Sequence, residues 1–485
     1  MSEEILMNIT PMESRVAVVE NGVLQEVHIE RTQSRGLVGN IYKGRVVRVL
    51  PGMQAAFVDI GLERAAFIHM GELQMPADRQ IDSISGLLHE GQSLVVQVTK
   101  DPIGSKGARL TTYFSMPSRY LVHMPSSEHI GVSLKIEDEA ERERLKELVV
   151  ACLEAEGKPE FGGFIIRTAA EGVCERDLRA DIRYLYRLWQ QVQEQIQSSS
   201  DTSLIYEELP LALRTLRDLV GERTEKIRID SRETLGKALQ FVSELVPGVE
   251  KLIEHYPGER PLFDLYGIED EIQRALERKV PLKSGGYLII DPTEAMTTID
   301  VNTGAFVGHR NLEETIFKTN LEAAMAIARQ LRLRNVGGII IIDFIDMEDE
   351  EHRRQVLRTL ERQLERDHAK AHITGLTELG LVQMTRKRTR ESLSQLLCEP
   401  CATCQGRGEL RTAETVCYEV FREILREARA YQAEGYLVLA SQSVVDRLLD
   451  EEAGNLADLE TFIGRPIKLQ VESLYSQEQY DIVLL

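Results

Sequence analysis

Two aspartates and an asparagine carry the clearest chemistry in this chain. Asp300 and Asn302 stand two apart in Thr298-Ile-Asp-Val-Asn302, so on a strand their side chains share a face. Asp343 lies near the end of Ile339–Ile345, an apolar run that reads as a strand buried on both faces. Carboxylates on two adjacent strand ends, with an amide oxygen beside them, suit a hard cation that takes oxygen ligands and keeps several waters: Mg²⁺ or Mn²⁺. Such an ion activates water and neutralises charge on a phosphodiester. The same pattern also fits strand-end acids that face solvent or cap helices. Glu294 and Asp346 are further acids within reach in sequence.

Cys401-Ala-Thr-Cys404 runs into Gln405-Gly-Arg-Gly408, a knuckle whose glycines let backbone N–H groups approach the thiolates. A structural Zn²⁺ takes four ligands, and the chain holds no second C-x-x-C apart from Cys398-Glu-Pro-Cys401, which shares Cys401 with the first. One pair from each of two chains would complete the set and put the zinc on a dimer axis. A redox pair, or a zinc completed by Cys398 and a histidine of the same chain, are the alternatives. Cys152, Cys174 and Cys417 read as ordinary buried thiols.

Phe57 and Phe67 fall on neighbouring β segments, with Tyr42, Lys43, Arg45 and Lys106 nearby. Aromatics that stack bases and cations that meet phosphates make a single-strand-binding face, although two core phenylalanines fit equally well. Arg167-Thr168 offers a guanidinium and a hydroxyl to a terminal phosphate, or is a surface pair. The basic run Arg386-Lys-Arg-Thr-Arg390 suits contact along RNA or a solvated helix face.

The elements that must position these groups follow from periodicity and turn signals. Ile5–Ile9, Arg15–Glu20 and Val23–Ile29 read as strands, with Asn21-Gly22 as a type I′ hairpin turn. Tyr42–Leu50, Gln54–Gly61, Ala65–His69 and Leu94–Thr99 are short β segments of a small closed barrel. Helical spacing covers Glu137–Glu156 and the stretch of Leu178, Ile182, Leu185 and Trp189 to Gln197, with the strand Phe164–Thr168 between. Helices at 207–222, 233–245 and 269–277 and a strand at Lys226–Asp230 follow. An α/β unit then starts near residue 286. Its strands are Tyr287–Asp291, Met296–Val301 and Ile339–Ile345, and its helices include one capped by Asn311 and Glu314 and one at 350–367. Residues 415–485 form a separate small α/β piece.

At 485 residues the chain is too long for one core and suggests about three to five units. Its apolar share of 43% and charged share of 28% are those of a globular protein. No apolar run approaches the ~18 residues that span a bilayer. The acidic start Met1-Ser-Glu-Glu4 lacks the basic and apolar parts of a secretory signal, so a cytoplasmic location is expected. A net charge of −20 excludes a protein coated in basic surface. It leaves room for local basic patches, with modest and strongly salt-dependent RNA affinity.

Gly39-Asn-Ile-Tyr-Lys-Gly44, Gly52-Met-Gln-Ala-Ala-Phe-Val-Asp-Ile-Gly61, Thr298-Ile-Asp-Val-Asn302, Ala328-Arg-Gln-Leu-Arg-Leu-Arg334, Ile342-Asp-Phe-Ile-Asp-Met347 and the cysteine knuckle occur in that order. In this the chain resembles the ribonuclease E/G family from residue 1 to 485. Thr303-Gly-Ala-Phe-Val-Gly-His309 and Thr385-Arg-Lys-Arg-Thr-Arg-Glu391 resemble one branch of it. No long Arg/Pro-rich tail follows, so a scaffold role in a degradosome is not expected.

The resemblance implies a multidomain α+β fold. A ribonuclease H-like subdomain (1–38 and 215–280) would be split around an OB-fold RNA-binding barrel (39–117) and a 5′-sensor (118–214). A deoxyribonuclease-I-like catalytic subdomain (281–396), a zinc link (397–414) and a small dimerisation domain (415–485) would follow. It further implies that Asp300 and Asp343 hold a catalytic Mg²⁺ with Asn302 beside the scissile phosphate. Cys401 and Cys404 would hold a zinc shared between chains. Arg167 and Thr168 would bind a 5′-monophosphate with Val122 and Lys370 in support, and Phe57, Phe67 and Lys106 would grip RNA. Three positions depart from the family pattern: Lys370 replaces an arginine and lacks its bidentate fork, Ser118 a glycine, and Ile60 an aromatic.

The activity implied is Mg²⁺-dependent, single-strand-specific endoribonucleolytic hydrolysis of A/U-rich RNA, leaving 5′-phosphate and 3′-hydroxyl ends. Ribosomal RNA precursors and messenger RNAs are the expected substrates. A homodimer is the expected assembly, with further pairing to a tetramer left open. A non-catalytic RNA-binding protein, a metal-dependent nuclease acting on DNA and an oligomeric scaffold are the rival readings.

Overall fold

The computed structural model describes residues 2–75, 83–102, 106–158, 161–221, 223–245, 248–304, 312–377, 379–388 and 390–485, without the side chains of 244 and 312. Asn311, residues 305–309 of the first branch motif and Thr389 of the second lie outside them. The chain forms two compact units, Met1–Leu393 and Ser394–Leu485. No helix among the described residues is long and apolar enough to cross a membrane.

The first unit opens with a meander of Glu3–Ile9, Glu13–Glu20 and Val23–Arg31. Asn21 and Gly22 both take positive φ, 49° and 78°, as the type I′ turn requires. Thr224–Ile229 then pairs in parallel with the free edge of Glu3–Ile9, and Ile253–His255 extends the sheet to five strands. The chain thus leaves this sheet at Arg31 and returns to it at Thr224.

Inside that excursion five strands close a barrel: Ile41–Leu50, Ala55–Asp59, Ala66–His69, Ser93–Lys100 and Arg109–Thr111. Ile41–Leu50 pairs with both Ala55–Asp59 and Ser93–Lys100, which seals the ring. A bulge between Val46 and Arg48 gives the long strand the bend that closure needs. Gly44 sits at the seam, where a Cβ would come 2.8 Å from the Asp59 carbonyl oxygen. Ser203–Tyr206 adds to the outside of Ile41–Leu50. A four-stranded sheet of Met116–Pro117, Leu121–Met124, Gly163–Ile166 and Ile130–Val132 follows. Helices Glu139–Ala155 and Glu175–Ser198 share a core with it, the latter through buried Leu178, Ile182, Leu185 and Val192 at helical spacing.

The rest of the unit is a six-stranded sheet: Lys279–Pro281, Tyr287–Pro292, Met296–Asn302, Gly338–Asp343, Leu381–Arg386 and Ala371–Leu376 in spatial order. Helices Leu312–Leu333 and Glu350–Leu364 cover it through Ile327, Leu331, Val356 and Leu360, among others. Each such buried side chain contributes about 1.5–3 kcal/mol. Gly338–Asp343 ends two residues short of the Ile345 read from the apolar run, because the Ile345 backbone is bonded to a side chain instead of a strand. The hairpin Ala371–Leu376 and Leu381–Arg386 was not read from the sequence, and the expected helix face across 386–390 is in part this strand.

The second unit carries Ala413–Ala430, Gln442–Leu449 and Ala453–Ile463 as helices around a three-stranded sheet with Tyr436–Ala440 at its centre. Cys152 and Cys417 are buried as expected, but Cys174 is exposed just before Glu175–Ser198, its thiol 3.1 Å from Asp177 Oδ2.

Candidate active site

Met296–Asn302 and Gly338–Asp343 run parallel, and in their register Asp300 is the partner of Asp343. Paired residues of neighbouring strands lie about 4.8 Å apart and point to one face, so the two carboxylates stand side by side. Both are exposed at the carboxyl ends of their strands. Asn302 is half-buried, and its Nδ2 donates to Asp300 Oδ2 at 2.8 Å. Burial first, then the charges of Asp300 and Asp346, raise the Asp343 carboxyl above its ordinary range. Glu294 precedes the amino end of its strand, six residues or roughly 20 Å from Asp300 along the chain, and does not join them.

Among the described residues no Lys or Arg forms an ion pair with Asp300, Asp343 or Asp346, and carboxylates that repel one another unneutralised make a place for a cation. The donor set is all oxygen. Among the described residues no three His, Cys, Asp or Glu side chains close on one point. Two aspartates, with water filling the remaining positions, fit Mg²⁺, which is bound through one or two carboxylates and retains its waters.

Around the expected phosphate sensor, Arg167 is already engaged. Its Nη1 lies 2.7 Å from Asp218 Oδ1 and donates to the Ser118 carbonyl oxygen. Burial opposes the Asp218 charge, yet Arg217 and Arg167 hold its carboxyl below the ordinary range. Thr168 is exposed, with Oγ1 3.1 Å from Ser133 Oγ. Two residues on, Lys135 Nζ donates to the His368 carbonyl oxygen at 3.3 Å. Residues 133–135 therefore link Thr168 to the loop that carries the exposed Lys370. Val122 is half-buried opposite Ile165. Ser118 Oγ lies 2.5 Å from Asp181 Oδ2, a bond no glycine could make.

In the second unit, the Gln405 N–H donates to the Cys401 carbonyl oxygen at 2.7 Å and the Arg407 N–H to that of Cys404 at 3.0 Å. Gly408 N–H points at Cys404 Sγ, 3.4 Å away. Gln405, Gly406 and Gly408 all have positive φ, so the knuckle curls around its sulfurs. Cys401 and Cys398 are exposed and Cys404 is half-buried, all as free thiols.

A family model described as the ribonuclease E/G family matches residues 115–389, and one for the thioredoxin-like domain of RNase E/G matches 400–484. Ribonuclease G of Salmonella typhimurium is 58% identical over 494 residues, covering 100% of both chains. Ribonuclease G of Escherichia coli K12 is 56% identical with the same coverage. Ribonuclease E of Escherichia coli K12 is 36% identical over 95% of this chain and 44% of its own. The chain belongs to the ribonuclease E/G family.

Within this ribonuclease E/G chain, the barrel holds residues that the sequence reading missed. Phe57 and Phe67 are register partners, half-buried, with ring centroids 6.1 Å apart in an edge-to-face pair. Their neighbours Ala56, Val58, Ala66 and Ile68 fill the core, so the two rings face outward. The register continues to Arg48 beyond Phe57 and to Arg109 beyond Phe67. The outer face thus carries a row of Arg48, Phe57, Phe67 and Arg109. Strand pairing alone could have revealed it, since the four residues are scattered in sequence.

Lys106 is exposed on the same barrel. Tyr42 and Lys43 are corrected. Tyr42 is 6% exposed in the barrel core, where Asn40 Nδ2 donates to its hydroxyl at 3.4 Å. Lys43 Nζ donates to the Ile196 and Ser199 carbonyls at 3.1 and 2.8 Å, neutralising the carboxyl end of Glu175–Ser198. Arg45 pairs with Asp201 at 2.7 Å, and Ile60 is core. In the basic run Arg386 is buried against Asp367 at 2.6 Å, Arg388 Nε donates to the Gly337 carbonyl oxygen and Arg390 Nη2 to that of Val27. Those three arginines hold the fold, and Lys387 remains exposed.

Proposed function

We propose that this endoribonuclease of the ribonuclease E/G family hydrolyses single-stranded, A/U-rich RNA in an Mg²⁺-dependent reaction that leaves 5′-phosphate and 3′-hydroxyl ends. The observation that carries the proposal is the register pairing of Asp300 with Asp343 beside Asn302. A magnesium ion bound there supplies a lowered water pKa and charge neutralisation on the scissile phosphate. The chain's own residues do the positioning. Asp300 and Asp343 orient the water face. Asn302 spends one N–H on Asp300 and has the other for a phosphate oxygen. The Arg48–Phe57–Phe67–Arg109 row stacks bases and meets phosphates, which favours unpaired strands.

Arg167, Thr168, Val122 and Lys370 are proposed to take a 5′-monophosphate, which must displace Asp218 from Arg167. Binding there adds affinity and aligns the strand, a proximity effect. The strand order of the split five-stranded sheet supports the ribonuclease H-like reading of 1–38 and 215–280. The barrel, sensor, catalytic, zinc-link and dimerisation segments are proposed with the bounds read from the sequence. By analogy with its relatives, the enzyme works in the cytoplasm on ribosomal RNA 5′ ends and messenger RNA decay.

One fluorescent A/U-rich RNA bearing 5′-monophosphate, triphosphate or hydroxyl, assayed with and without Mg²⁺, tests the proposal. Asp343→Asn is expected to cut cleavage by roughly 10²–10³-fold, the scale of losing one group that stabilises developing charge. Undiminished cleavage by that variant would defeat the metal assignment. Equal rates on all three 5′ ends would remove the sensor.

A further inference from the structure

We infer that Asn320 is the positioning residue that fixes Asp343 against Asp300, an inference that rests on the metal reading above. Asn320 lies on Leu312–Leu333 and is fully buried. Its Nδ2 donates to the Ile345 carbonyl oxygen at 2.7 Å, and its Oδ1 accepts from the Ile345 N–H at 3.1 Å. This is a two-point match between a primary amide and the N–H and C=O of one extended residue, which requires one donor and one acceptor in fixed geometry. Only Asn and Gln side chains carry both in that form.

The location gives the bond its meaning. The ladder of Gly338–Asp343 stops at Asp343, so the peptide groups beyond it have no strand partner. Left alone they would be orphaned, a cost the chain would relieve by bending away. Asn320 takes the place of the missing strand and carries the extended course past Asp343. Meanwhile Asp300, Asp343 and Asp346 repel one another, which drives the segment to splay. Two further pins hold the same loop downstream: Arg353 Nε donates to the Met347 carbonyl oxygen at 2.7 Å, and the Asp349 N–H donates to Glu313 Oε1 at 3.4 Å. Asn320 is the pin nearest the acids, and it anchors them to the core helix Leu312–Leu333. The carboxylates are thereby held close before any cation arrives, so ion binding does not have to supply the ordering.

The test is Mn²⁺ binding to the RNA-free full-length protein, read by electron paramagnetic resonance, alongside the Mg²⁺ requirement of cleavage. Asn320→Leu removes both bonds at similar volume, and Asn320→Asp retains only the acceptor. Both are expected to weaken Mn²⁺ binding on the order of 10- to 100-fold, the scale for residues that orient metal ligands. The Mg²⁺ needed for half-maximal cleavage should rise in parallel. KM for RNA at saturating Mg²⁺ and the preference among 5′ ends should stay within about twofold, since neither group of contacts includes Asn320.

Circular dichroism identifies a variant that does not fold. Should Asn320→Leu fail to fold, Asn320→Asp decides the matter on the same measurements. A folded variant with wild-type Mn²⁺ affinity overturns the inference. Absence of Mn²⁺ binding by the wild-type protein, or loss of none of it in Asp343→Asn, overturns the underlying metal reading instead. The two failures are therefore distinct.

Discussion

At the scale of residues, the barrel makes the clearest demand on RNA. Phe57 and Phe67 face outward with a guanidinium at either end of their row. Removing one ring by Phe57→Ala or Phe67→Ala should raise KM about tenfold, since each stacked base is worth about 1–3 kcal/mol. Steady-state kinetics on a short unstructured RNA checks this, and kcat should hardly move because the rings are proposed to bind bases and not to hold the ion. Both phenylalanines were legible in the sequence as aromatics on neighbouring β segments, whereas Arg48 and Arg109 were not. Their role depends on which strand lies beside which, and a bulge at Val46 shifts the register by one. Tyr42 and Lys43 failed for a related reason. An aromatic and a lysine near a binding face look alike whether they point out, fill the core, or cap a helix. Asp181 yields a second prediction. Burial raises its carboxyl to about 6, although Ser118 Oγ and the N–H groups of Tyr120 and Leu121 bond to it. Unfolded, the same group titrates near ~3.9. Between about pH 4 and 6 the folded chain thus binds the extra proton, so stability falls as pH rises through that window and levels off above it. Asp181→Asn should erase this component: the difference in melting temperature between variant and wild type should shift in the variant's favour from pH 4 to 7. A difference independent of pH would refute it.

At the scale of elements, the motif Ala328-Arg-Gln-Leu-Arg-Leu-Arg334 joins two sheets. Arg332 reaches from its helix to Glu20 at 3.1 Å and Glu26 at 2.9 Å on the first sheet, with all three side chains at or below 10% exposure. Arg329 adds a bond from its Nε to the Leu24 carbonyl oxygen at 2.9 Å. The helix that carries Asn320 is therefore clamped to the split sheet as well as to the catalytic one. Arg332→Met leaves two buried carboxylates without their guanidinium, Glu26 keeping only His28 at 3.3 Å, and should cost about 3–5 kcal/mol, read as a lower urea midpoint. Adding Glu20→Gln and Glu26→Gln to it should recover most of the loss, because the cost lies in the stranded charges. Full stability of the single variant would show that the clamp is idle. Elements of this kind were readable where burial is one-sided. The meander with its Asn21-Gly22 turn and the long amphipathic helices announce themselves by period. The hairpin 371–386 did not, since Ala371–Leu376 is an edge strand with no residue of it fully buried, and only Ala371 and Ile373 on it pack against the core. The strand end at Asp343 was overrun for the opposite reason: Phe344 and Met347 are buried, so hydrophobicity continues after the ladder stops.

At the scale of the whole molecule, the knuckle is the proposed link between chains. Each chain offers two sulfurs in one turn, Cys401 and Cys404, and a tetrahedral structural zinc needs four ligands. Cys398 is close in sequence, yet among the described residues no group of three potential ligands forms. We propose that a second copy supplies the other pair, by the symmetry that such a site imposes. Electrostatics works against that pairing, because each chain carries −20 and two such chains repel. A bond through metal overcomes a repulsion that is long-ranged only at low salt, where the Debye length reaches about 30 Å at 0.01 M. The expected zinc content is therefore half an atom per chain. Cys401→Ser with Cys404→Ser should sediment as monomer at low ionic strength and regain some dimer as salt screens the repulsion. Chelated wild-type protein should do the same and return to dimer on adding Zn²⁺. One zinc per chain in a protein that remains monomeric would mean that the ligands come from a single chain, and the shared site would be abandoned.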